Sequence, residues 1–348
     1  MTKDKRTDFI LEKNRFEEFI RSLSEKYRIY SPSYTDTRGH FIEVDSPDKI
    51  KFNQTNSKLA VKSFFFPQVE NLFVFDAETK ELSDKENETT AHPIQHILFG
   101  VRPCDAFSIS LLDAVFMKIS PADPYYIKKR HSTMIISLAC NHPRQTCFCT
   151  SVGCQPDSEK GADIIFFDLE DRFLIRPVTD TAEEILNSVR TLLGSATDCD
   201  QEKKKQLMLE SKNIIHKDFE FDDLVKKLDN FNASYWNRIY EKCLGCGICT
   251  YLCPTCHCFD IADEVIESNG RRVRTWDSCM FSLFTLHASG HNPRPTQKER
   301  MRQRIMHKFN YAPKNYDQIF CVGCGRCIMY CPVNLDIRQL IKGIMEEE

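Results

Sequence analysis

The chain of 348 residues lacks the long apolar runs that carry proteins into a membrane. No stretch reaches the roughly 18 consecutive apolar residues that a spanning helix needs. The opening residues, MTKDKRTDFILEKNRF, lack the apolar core of a signal peptide. An excess of one charge is missing too, because 47 Lys and Arg residues oppose 50 Asp and Glu residues. We therefore expect a cytoplasmic protein that has no membrane span and no nucleic-acid partner.

Sequence motifs for nucleotide binding and for hydrolysis are absent as well. No GxGxxG or GxxxxGK[ST] loop follows a strand-like segment, and neither GxSxG nor HExxH occurs. A content of 41% hydrophobic and 28% charged residues is typical of a globular protein, and the length allows two or three domains. The sequence therefore gives no support for flavin or NAD binding by this chain.

Cysteine, by contrast, is abundant, with 17 residues. Cytosolic thiols stay reduced, so this number favours metal ligation over a disulfide framework. Two runs, at 243–254 and 321–332, follow the spacing C-x2-C-x2-C-x3-C-P of bacterial ferredoxins. In that pattern three cysteines hold one [4Fe–4S] cube and the fourth reaches the other cube. The two runs predict a protein that carries electrons.

The spacing assigns the eight cysteines of the runs to two cubes. Glycines between them allow tight backbone paths, and the proline after each run ends the loop. The first cube is predicted on Cys243, Cys246, Cys249 and Cys331, and the second on Cys253, Cys321, Cys324 and Cys327. Zinc usually takes one tetrahedral set of ligands, which two complete runs do not match. Clusters that only stabilise the fold are the other alternative.

Apolar runs that alternate with helical patterns predict an α/β domain over 1–195. Strands are expected at 96–101, 133–140, 163–169 and 172–178, and helices at 9–27, 106–118 and 181–193. Two apolar runs within 59–76 are expected to be extended, and 78–92 to be a loop. Asp105 is the predicted N-cap of the helix that follows it. Residues 196–240 are predicted to be a charged helical connector.

The last part, 241–348, is predicted to be a bacterial-type two-[4Fe–4S] ferredoxin-like domain with a long insertion at 254–320. The insertion holds the basic stretch QKERMRQRIMHKF at 297–309. We expect the insertion to be a docking surface for partner subunits, with a solvated basic helix as the alternative. Histidines of the insertion are expected at the surface or in hydrogen bonds, namely His257, His287 and His291.

Nine cysteines lie outside the two predicted cubes. Four of them follow predicted strands, whose ends meet at one edge of an α/β sheet, and are candidates for a third cluster: Cys104, Cys140, Cys147 and Cys149. Cys154 competes as fourth ligand, and buried thiols without metal are the alternative. Additional ligands of lower priority are Cys256, Cys258 and Cys279, which are equally compatible with packing beside a cluster. Cys199 is expected to be a free thiol.

The cysteines and their neighbours together resemble one family. The resemblance rests on VRPCD at 101–105, Cys140, CFCTSVG at 147–153, CPTCHC at 253–258, WDSC at 276–279 and the run at 321–332, all in the same order. The resemblance covers about residues 9–340. The chain resembles the iron–sulfur subunit family that contains the β subunit of cytoplasmic sulfhydrogenases and the A subunit of anaerobic sulfite reductase. Similar subunits accompany flavin oxidoreductase–heterodisulfide reductase complexes.

The resemblance implies an electron-transfer role without catalysis by this chain. It implies partners on both sides: a flavin subunit that handles NAD(P)H, and a terminal subunit that is a [NiFe] hydrogenase or a sirohaem sulfite reductase. It also implies that the eight cysteines of the runs hold the cubes, and that Cys104, Cys140, Cys147 and Cys149 match the N-terminal cysteines of the family. After Ser-x-Gly, where the family often has another residue, this chain has Cys154.

Two other functions compete with this one. The first is a self-sufficient reductase whose α/β domain binds its own flavin or substrate at a cysteine-lined edge. The missing phosphate-binding loop weighs against it. The second is a non-redox protein whose cubes shape a nucleic-acid surface. Its only support is the basic stretch at 298–308, and the near-neutral overall charge weakens it.

Overall fold

The computed structural model describes residues 6–32, 39–44, 46–50, 52, 56–83, 94–215, 219 and 221–346. The strands are β1 (Phe9–Glu12), β2 (Arg28–Pro32), β3 (Phe41–Glu43), β4 (Val69–Asp76), β5 (Leu82–Ser83), β6 (His96–Val101), β7 (Thr133–Leu138), β8 (Ile164–Asp168), β9 (Arg172–Pro177), β10 (Gly194–Ser195), β11 (Phe259–Ile266) and β12 (Asn269–Trp276).

The helices are α1 (Phe16–Ser24), α2 (Pro103–Phe116), α3 (Pro124–His131), α4 (Asp180–Ser188), α5 (Asp198–Ile214), α6 (Phe221–Leu228), α7 (Ile248–Tyr251), α8 (Gln297–Met306), α9 (Ala312–Tyr316), α10 (Arg326–Met329) and α11 (Ile337–Glu346). A π-helical turn, His307–Tyr311, continues α8. Short 3-10 helices occur at Lys13–Arg15, Pro47–Lys49, Val61–Phe64, Cys149–Val152, Arg190–Leu192, Ser234–Asn237 and Leu283–Thr285. Among the described residues, every helix is too short or too polar to span a lipid bilayer.

Eight strands form a mixed sheet in the order β10-β1-β9-β8-β7-β6-β2-β3. The neighbours β2, β6, β7 and β8 run parallel, and the outer pairs run antiparallel. Every residue of β7 is buried, as expected for a central strand covered on both faces. Because β6 and β7 are parallel neighbours, the residues that follow them lie at the same edge of the sheet.

Helices cover both faces of this sheet. On one face α1 presents Phe16, Phe19, Ile20 and Leu23, which recur at helical spacing and pack with sheet residues such as Phe99 and Phe166. On the other face α2 packs residues such as Ile109, Leu112 and Phe116 with Leu98 and Ile135. The fold of this part is therefore a three-layer α/β arrangement, in agreement with the predicted fold class.

A second sheet links distant parts of the chain. Its antiparallel order is β11-β12-β4-β5, so the hairpin between the two cysteine runs pairs with a strand from the first quarter of the sequence. At its base Arg274 forms buried ion pairs with Glu70 and Asp123. The indole Nε1 of Trp276 donates to the carbonyl of Phe66 at 3.1 Å. These contacts fix the hairpin against the α/β part.

Several local predictions need correction. The helix after β6 begins at Pro103, with Arg102 at the N-cap, so the prediction of Asp105 as N-cap is wrong. Proline is favoured at the first helical position because its missing N–H has no helical partner there. Asp105 lies within the first turn, and its carboxylate accepts instead from Arg326.

The first helix is also shorter than predicted. Phe9–Glu12 is a strand paired with β9, and the α-helix begins only at Phe16. A short apolar run such as Phe-Ile-Leu fits a buried strand as well as a helix. The run at 59–66 contains a 3-10 helix, Val61–Phe64, whereas β4 confirms the extended second run. Of the predicted loop at 78–92, residues 84–92 lie outside the described residues.

Candidate metal centres

The first cysteine run curls around one cavity. Five cysteines border it: Cys243, Cys246, Cys249, Cys327 and Cys331. Gly245 and Gly247 have φ angles of +68° and +74°, which permit the tight path between these cysteines. The other walls are mostly apolar and include Met280, Met301, Ile305 and Ile337. This cavity lies near the surface, because Cys246 is exposed and Leu244 is 69% exposed.

The second cysteine run borders a deeper cavity together with the last cysteine of the first run. The four cysteines at this cavity are Cys253, Cys321, Cys324 and Cys327. Arg304, Cys327 and Ile337 line both cavities, so the two are adjacent. Each predicted set of four cysteines borders one cavity, and Cys327 borders both.

Several N–H groups donate to cysteine sulfurs at these cavities. The side-chain amide of Gln297 lies 3.2 Å from the Sγ of Cys243. The backbone N–H of Leu335 lies 3.2 Å from the Sγ of Cys331. The ammonium group of Lys308 lies 3.2 Å from the Sγ of Cys253. Donors of this kind stabilise the ionised thiolate, which is the form that binds iron.

Burial has the opposite effect on these thiols. It raises the pKa of Cys321 to about 12, although Lys308 pulls it down. Burial likewise raises the pKa of Cys327 and of Cys324, with Arg304 and Arg326 respectively opposing it. At neutral pH such thiols give up their protons when they bind a metal, because the metal replaces the proton on sulfur. The donor set therefore suits a buried metal centre.

A cluster and a single ion differ in how far apart they hold their sulfur ligands. Among the described residues, no three Cys, His, Asp or Glu side chains converge closely enough to hold one metal ion. Four sulfurs around one zinc ion would lie about 3.8 Å apart, because Zn–S bonds are about 2.3 Å long. Sulfurs around a four-iron cube lie farther apart, since the cube occupies the space between them. The C-x2-C-x2-C-x3-C-P spacing of both runs favours a cube over a zinc ion.

A further group of cysteines lies next to the second cavity. The backbone N–H of Phe148 donates to the carbonyl of Gly323 at 2.9 Å, so the 147–149 loop lies directly on the second run. Burial raises the pKa of Cys149, and so does the proximity of Cys154, Cys147 and Cys140. The structure thus gathers these four cysteines in one place.

Cys104 lies between this group and the second cavity. Burial raises the pKa of Cys104 most, and the proximity of Asp105, Cys324 and Cys154 raises it further. Arg102 anchors the segment just before Cys104, because its guanidinium donates to the carbonyl of Ala139 at 2.9 Å. The prediction that residues after β6 and β7 meet at one sheet edge is therefore confirmed.

Cys256, Cys258 and Cys279 form a group beside Cys253. Cys256 is hydrogen-bonded to Cys253. The hydrogen bond from Cys279 lowers the pKa of Cys258 to about 7. Buried Lys62 donates to the carbonyl of Cys256 at 2.9 Å, and its ammonium group lies 3.9 Å from the ring centroid of Trp276.

The basic stretch does not form a solvated helix, so that alternative is wrong. Helix α8 buries Met301, Arg304, Ile305 and Met306, and the π-helical turn buries Lys308. The sequence analysis did not identify Arg304 and Lys308 as site residues. Their spacing relative to Gln297 and Met301, which places all four on one helical face, is the signal that could have revealed them.

Comparisons with known proteins bear on both parts of the chain. A family model described as a 4Fe-4S dicluster domain matches residues 242–335. The chain is also similar to the sulfhydrogenase 2 subunit beta of Pyrococcus furiosus, with 31% identity over 333 residues. That match covers 95% of this chain and 96% of the relative. The similarity thus includes the α/β part as well as the cysteine runs.

Proposed function

Since the chain belongs to the family of sulfhydrogenase beta subunits and carries a C-terminal 4Fe-4S dicluster domain, we propose that it is the electron-transfer subunit of a redox complex. A bound [4Fe–4S] cluster accepts and releases one electron at a time. The observation that carries the proposal is the pair of adjacent cavities, each bordered by three cysteines of one run and by at least one cysteine of the other.

We assign two clusters to the two cavities. Cys243, Cys246, Cys249 and Cys331 hold the first cluster, and Cys253, Cys321, Cys324 and Cys327 hold the second. The cysteines of the second site are more deeply buried than those of the first. The exposed rim at Leu244 and Cys246 makes the first cluster the nearer one to an external donor or acceptor. The segment 254–320 is an insertion in a ferredoxin-like domain that spans 241–348.

A third cluster is proposed beside the second one. Cys140, Cys147 and Cys149 supply three ligands. The fourth ligand is Cys104, with Cys154 as the competing candidate. We do not assign Cys256, Cys258 and Cys279 to a cube. A cube needs four ligands, and no fourth cysteine is assigned to these three.

The chain is proposed to work between two partner subunits in the cytoplasm. One partner binds flavin and NAD(P)H, and the other is the terminal reductase or hydrogenase. The name of the Pyrococcus furiosus relative favours a hydrogenase over a sulfite reductase as the terminal partner. The α/β part over 1–195 and the helical connector over 196–240 complete the proposed domain organisation.

Serine replacements test the cluster assignment. We expect Cys246→Ser and Cys324→Ser each to lower the iron content of the anaerobically purified chain by about four atoms, which is one cluster. The matched control is Cys199→Ser, because Cys199 is exposed on α5 and should leave iron unchanged. Iron content that stays at the wild-type value in both site variants contradicts the assignment.

A turnover assay separates the relay from a self-sufficient reductase. The purified chain should be reduced by dithionite and reoxidised by an acceptor dye, yet should neither contain flavin nor oxidise NADH. Sustained NADH oxidation by the chain alone, with bound flavin, would support the self-sufficient reductase instead.

A further inference from the structure

Two buried cations face the proposed cluster ligands from one helical face. Arg304 is 5% exposed and Lys308 is 4% exposed. They are four residues apart, at the end of α8 and in the π-helical turn that follows, so they project in the same direction. Among the described residues, no carboxylate forms an ion pair with either of them. A buried charge without a counter-ion is costly, so the anionic partner must be found nearby.

Lys308 is directed at the second cavity. Its ammonium group donates to the Sγ of Cys253 at 3.2 Å, to the Oγ1 of Thr255 at 3.0 Å and to the carbonyl of Phe320 at 2.9 Å. These three bonds use all of its protons. The side chain lines the second cavity and does not line the first. Its position is therefore fixed beside a single set of ligands.

Arg304 lies between the two cavities and lines both. One guanidinium nitrogen contacts the Sγ of Cys256 at 3.8 Å. Burial opposes its charge, yet the proximity of Cys249, Cys256, Cys327 and Cys253 holds its pKa well above the usual value. Cys249 belongs to the first proposed ligand set, and Cys253 and Cys327 to the second. Its charge is therefore shared between the two sites.

A fixed cation favours the reduced form of a neighbouring cluster. Reduction adds one negative charge, and a cation held in a poorly polarisable interior attracts that charge more strongly than it would in water. Net charge and hydrogen bonds to the sulfurs are the quantities through which a protein adjusts cluster potentials. The cations are oriented by the fold itself, so they need no rearrangement when the electron arrives.

We propose that Arg304 and Lys308 raise the reduction potentials of the two clusters, with Lys308 acting on the second cluster alone and Arg304 on both. This inference rests on the proposed function, because it requires clusters in both cavities. Both side chains are positioning residues: they act on the electron through the cluster ligands. The unequal placement of the two cations predicts an unequal effect of their removal, which a merely structural role would not produce.

The test is an anaerobic redox titration of the full chain, followed by EPR, with Lys308→Gln and Arg304→Gln. In Lys308→Gln the ratio of reduced to oxidised second cluster should fall at least tenfold at a fixed potential, which is 59 mV for a one-electron couple. The first cluster should be unaffected. In Arg304→Gln both clusters should become harder to reduce. Lys308→Arg should restore the potential of the second cluster.

Arg302→Gln is the matched control, because it removes the same charge from the same helix. The guanidinium of Arg302 donates to the carbonyl of Phe231 at 3.2 Å and lies 3.7 Å from the centroid of its ring. It lines neither cavity, so neither potential should change. The Cys246→Ser and Cys324→Ser proteins, each lacking one cluster, identify which signal belongs to which cavity.

Iron content, measured first, separates the two ways of failing. A wild-type chain without iron refutes the proposed function itself. Variants that hold both clusters at unchanged potentials overturn the inference alone. If Lys308→Gln does not assemble, Lys308→Met provides the test, because it removes the charge and keeps a side chain of similar length. A lowered potential of the second cluster in Lys308→Met supports the inference, and an unchanged one overturns it.

Discussion

Glycines of the second cysteine run are required by close backbone contact as well as by turn geometry. Gly323 and Gly325 have φ angles of +62° and +75°. A Cβ on Gly323 would collide with the backbone of Cys149, and one on Gly325 would collide with the carbonyl of Thr146. Backbone atoms cannot move aside as a flexible side chain can. These two glycines therefore let the 146–149 loop lie directly on the second run.

Gly323→Ala should accordingly destabilise the protein by more than its strained φ angle alone costs. We expect a loss of about 2–5 kcal/mol, from about 1–2 kcal/mol of left-handed backbone strain plus the clash. Gly290→Ala is the control, since Gly290 has a φ of +79° and nothing within 4 Å of an added Cβ. Denaturant unfolding of the anaerobic proteins measures both losses. Equal losses in the two variants would contradict the close contact.

The cysteine spacing predicted part of the site at this scale. Each predicted set of four cysteines borders one cavity, although Cys327 borders both and ligation itself stays a prediction. The spacing did not predict which cations face them, because a basic stretch in a sequence carries no indication of the direction of its side chains. Burial of Arg304 and Lys308 depends on packing against two cysteine runs that are distant in the chain.

Among the secondary-structure elements, the central strands were the most predictable. Strand β6 occupies the predicted residues, and β7, β8 and β9 fall within theirs. These strands are continuous apolar runs with clear ends, which is typical of buried strands. The first strand was not predicted, because its partners, β9 and β10, lie 160 or more residues later in the chain. The residues around β1 carry no information about a partner so distant in the chain.

Asp8 joins three of these elements. Its carboxylate accepts from the guanidinium of Arg176 in β9 at 2.8 and 2.6 Å, and from the amide of Gln201 in α5 at 2.8 Å. Burial alone would raise the pKa of Asp8, but these hydrogen bonds hold it below its usual value of 3.8. These contacts therefore hold the start of β1 against β9 and α5.

Asp8→Asn should lower the free energy of unfolding by about 1–3 kcal/mol at neutral pH. Because the folded pKa is depressed, the stabilisation is present above the unfolded pKa and is lost only as pH falls through the folded pKa. The difference from wild type should therefore be constant between about pH 5 and 8 and shrink below about pH 4. Denaturant titrations across pH measure this.

Glu17→Gln is the control for Asp8→Asn. The Arg21–Glu17 pair lies at 2.6 Å with side chains 70% and 66% exposed, so its loss should cost less than about 1 kcal/mol. An Asp8→Asn effect no larger than that of Glu17→Gln would show that the pairing at β1 contributes little.

For the whole molecule, the α/β part and the cysteine runs form one interconnected structure. The second sheet pairs β4 with β12, and the amide of Asn56 donates to the carbonyl of Cys324 at 3.0 Å. Arg326 and Asp105 form a bidentate ion pair with distances of 2.6 and 2.7 Å, and both are 1% exposed. The sequence could not predict these contacts, because each joins residues about 200 or more positions apart.

Asp105→Asn should destabilise the protein by about 3–5 kcal/mol, because it leaves the buried charge of Arg326 without a counter-ion. The matched control is Asp263→Asn. Asp263 and Arg272 form a similar bidentate pair at 2.7 and 2.8 Å, but both side chains are 42% exposed. That change should cost less than about 1 kcal/mol. Similar losses in the two variants, measured by denaturant unfolding, would show that the Asp105–Arg326 pair does not hold the two parts together.

The most direct measurement of the central claim is the iron content of the anaerobically purified wild-type chain, together with the number of electrons it takes up in an EPR-monitored titration. We expect about eight iron atoms and two reducible [4Fe–4S] clusters per chain, or about twelve iron atoms if the third group of cysteines is also occupied. Zinc in place of iron, or iron that takes up no electrons, would contradict an electron-transfer function for this protein.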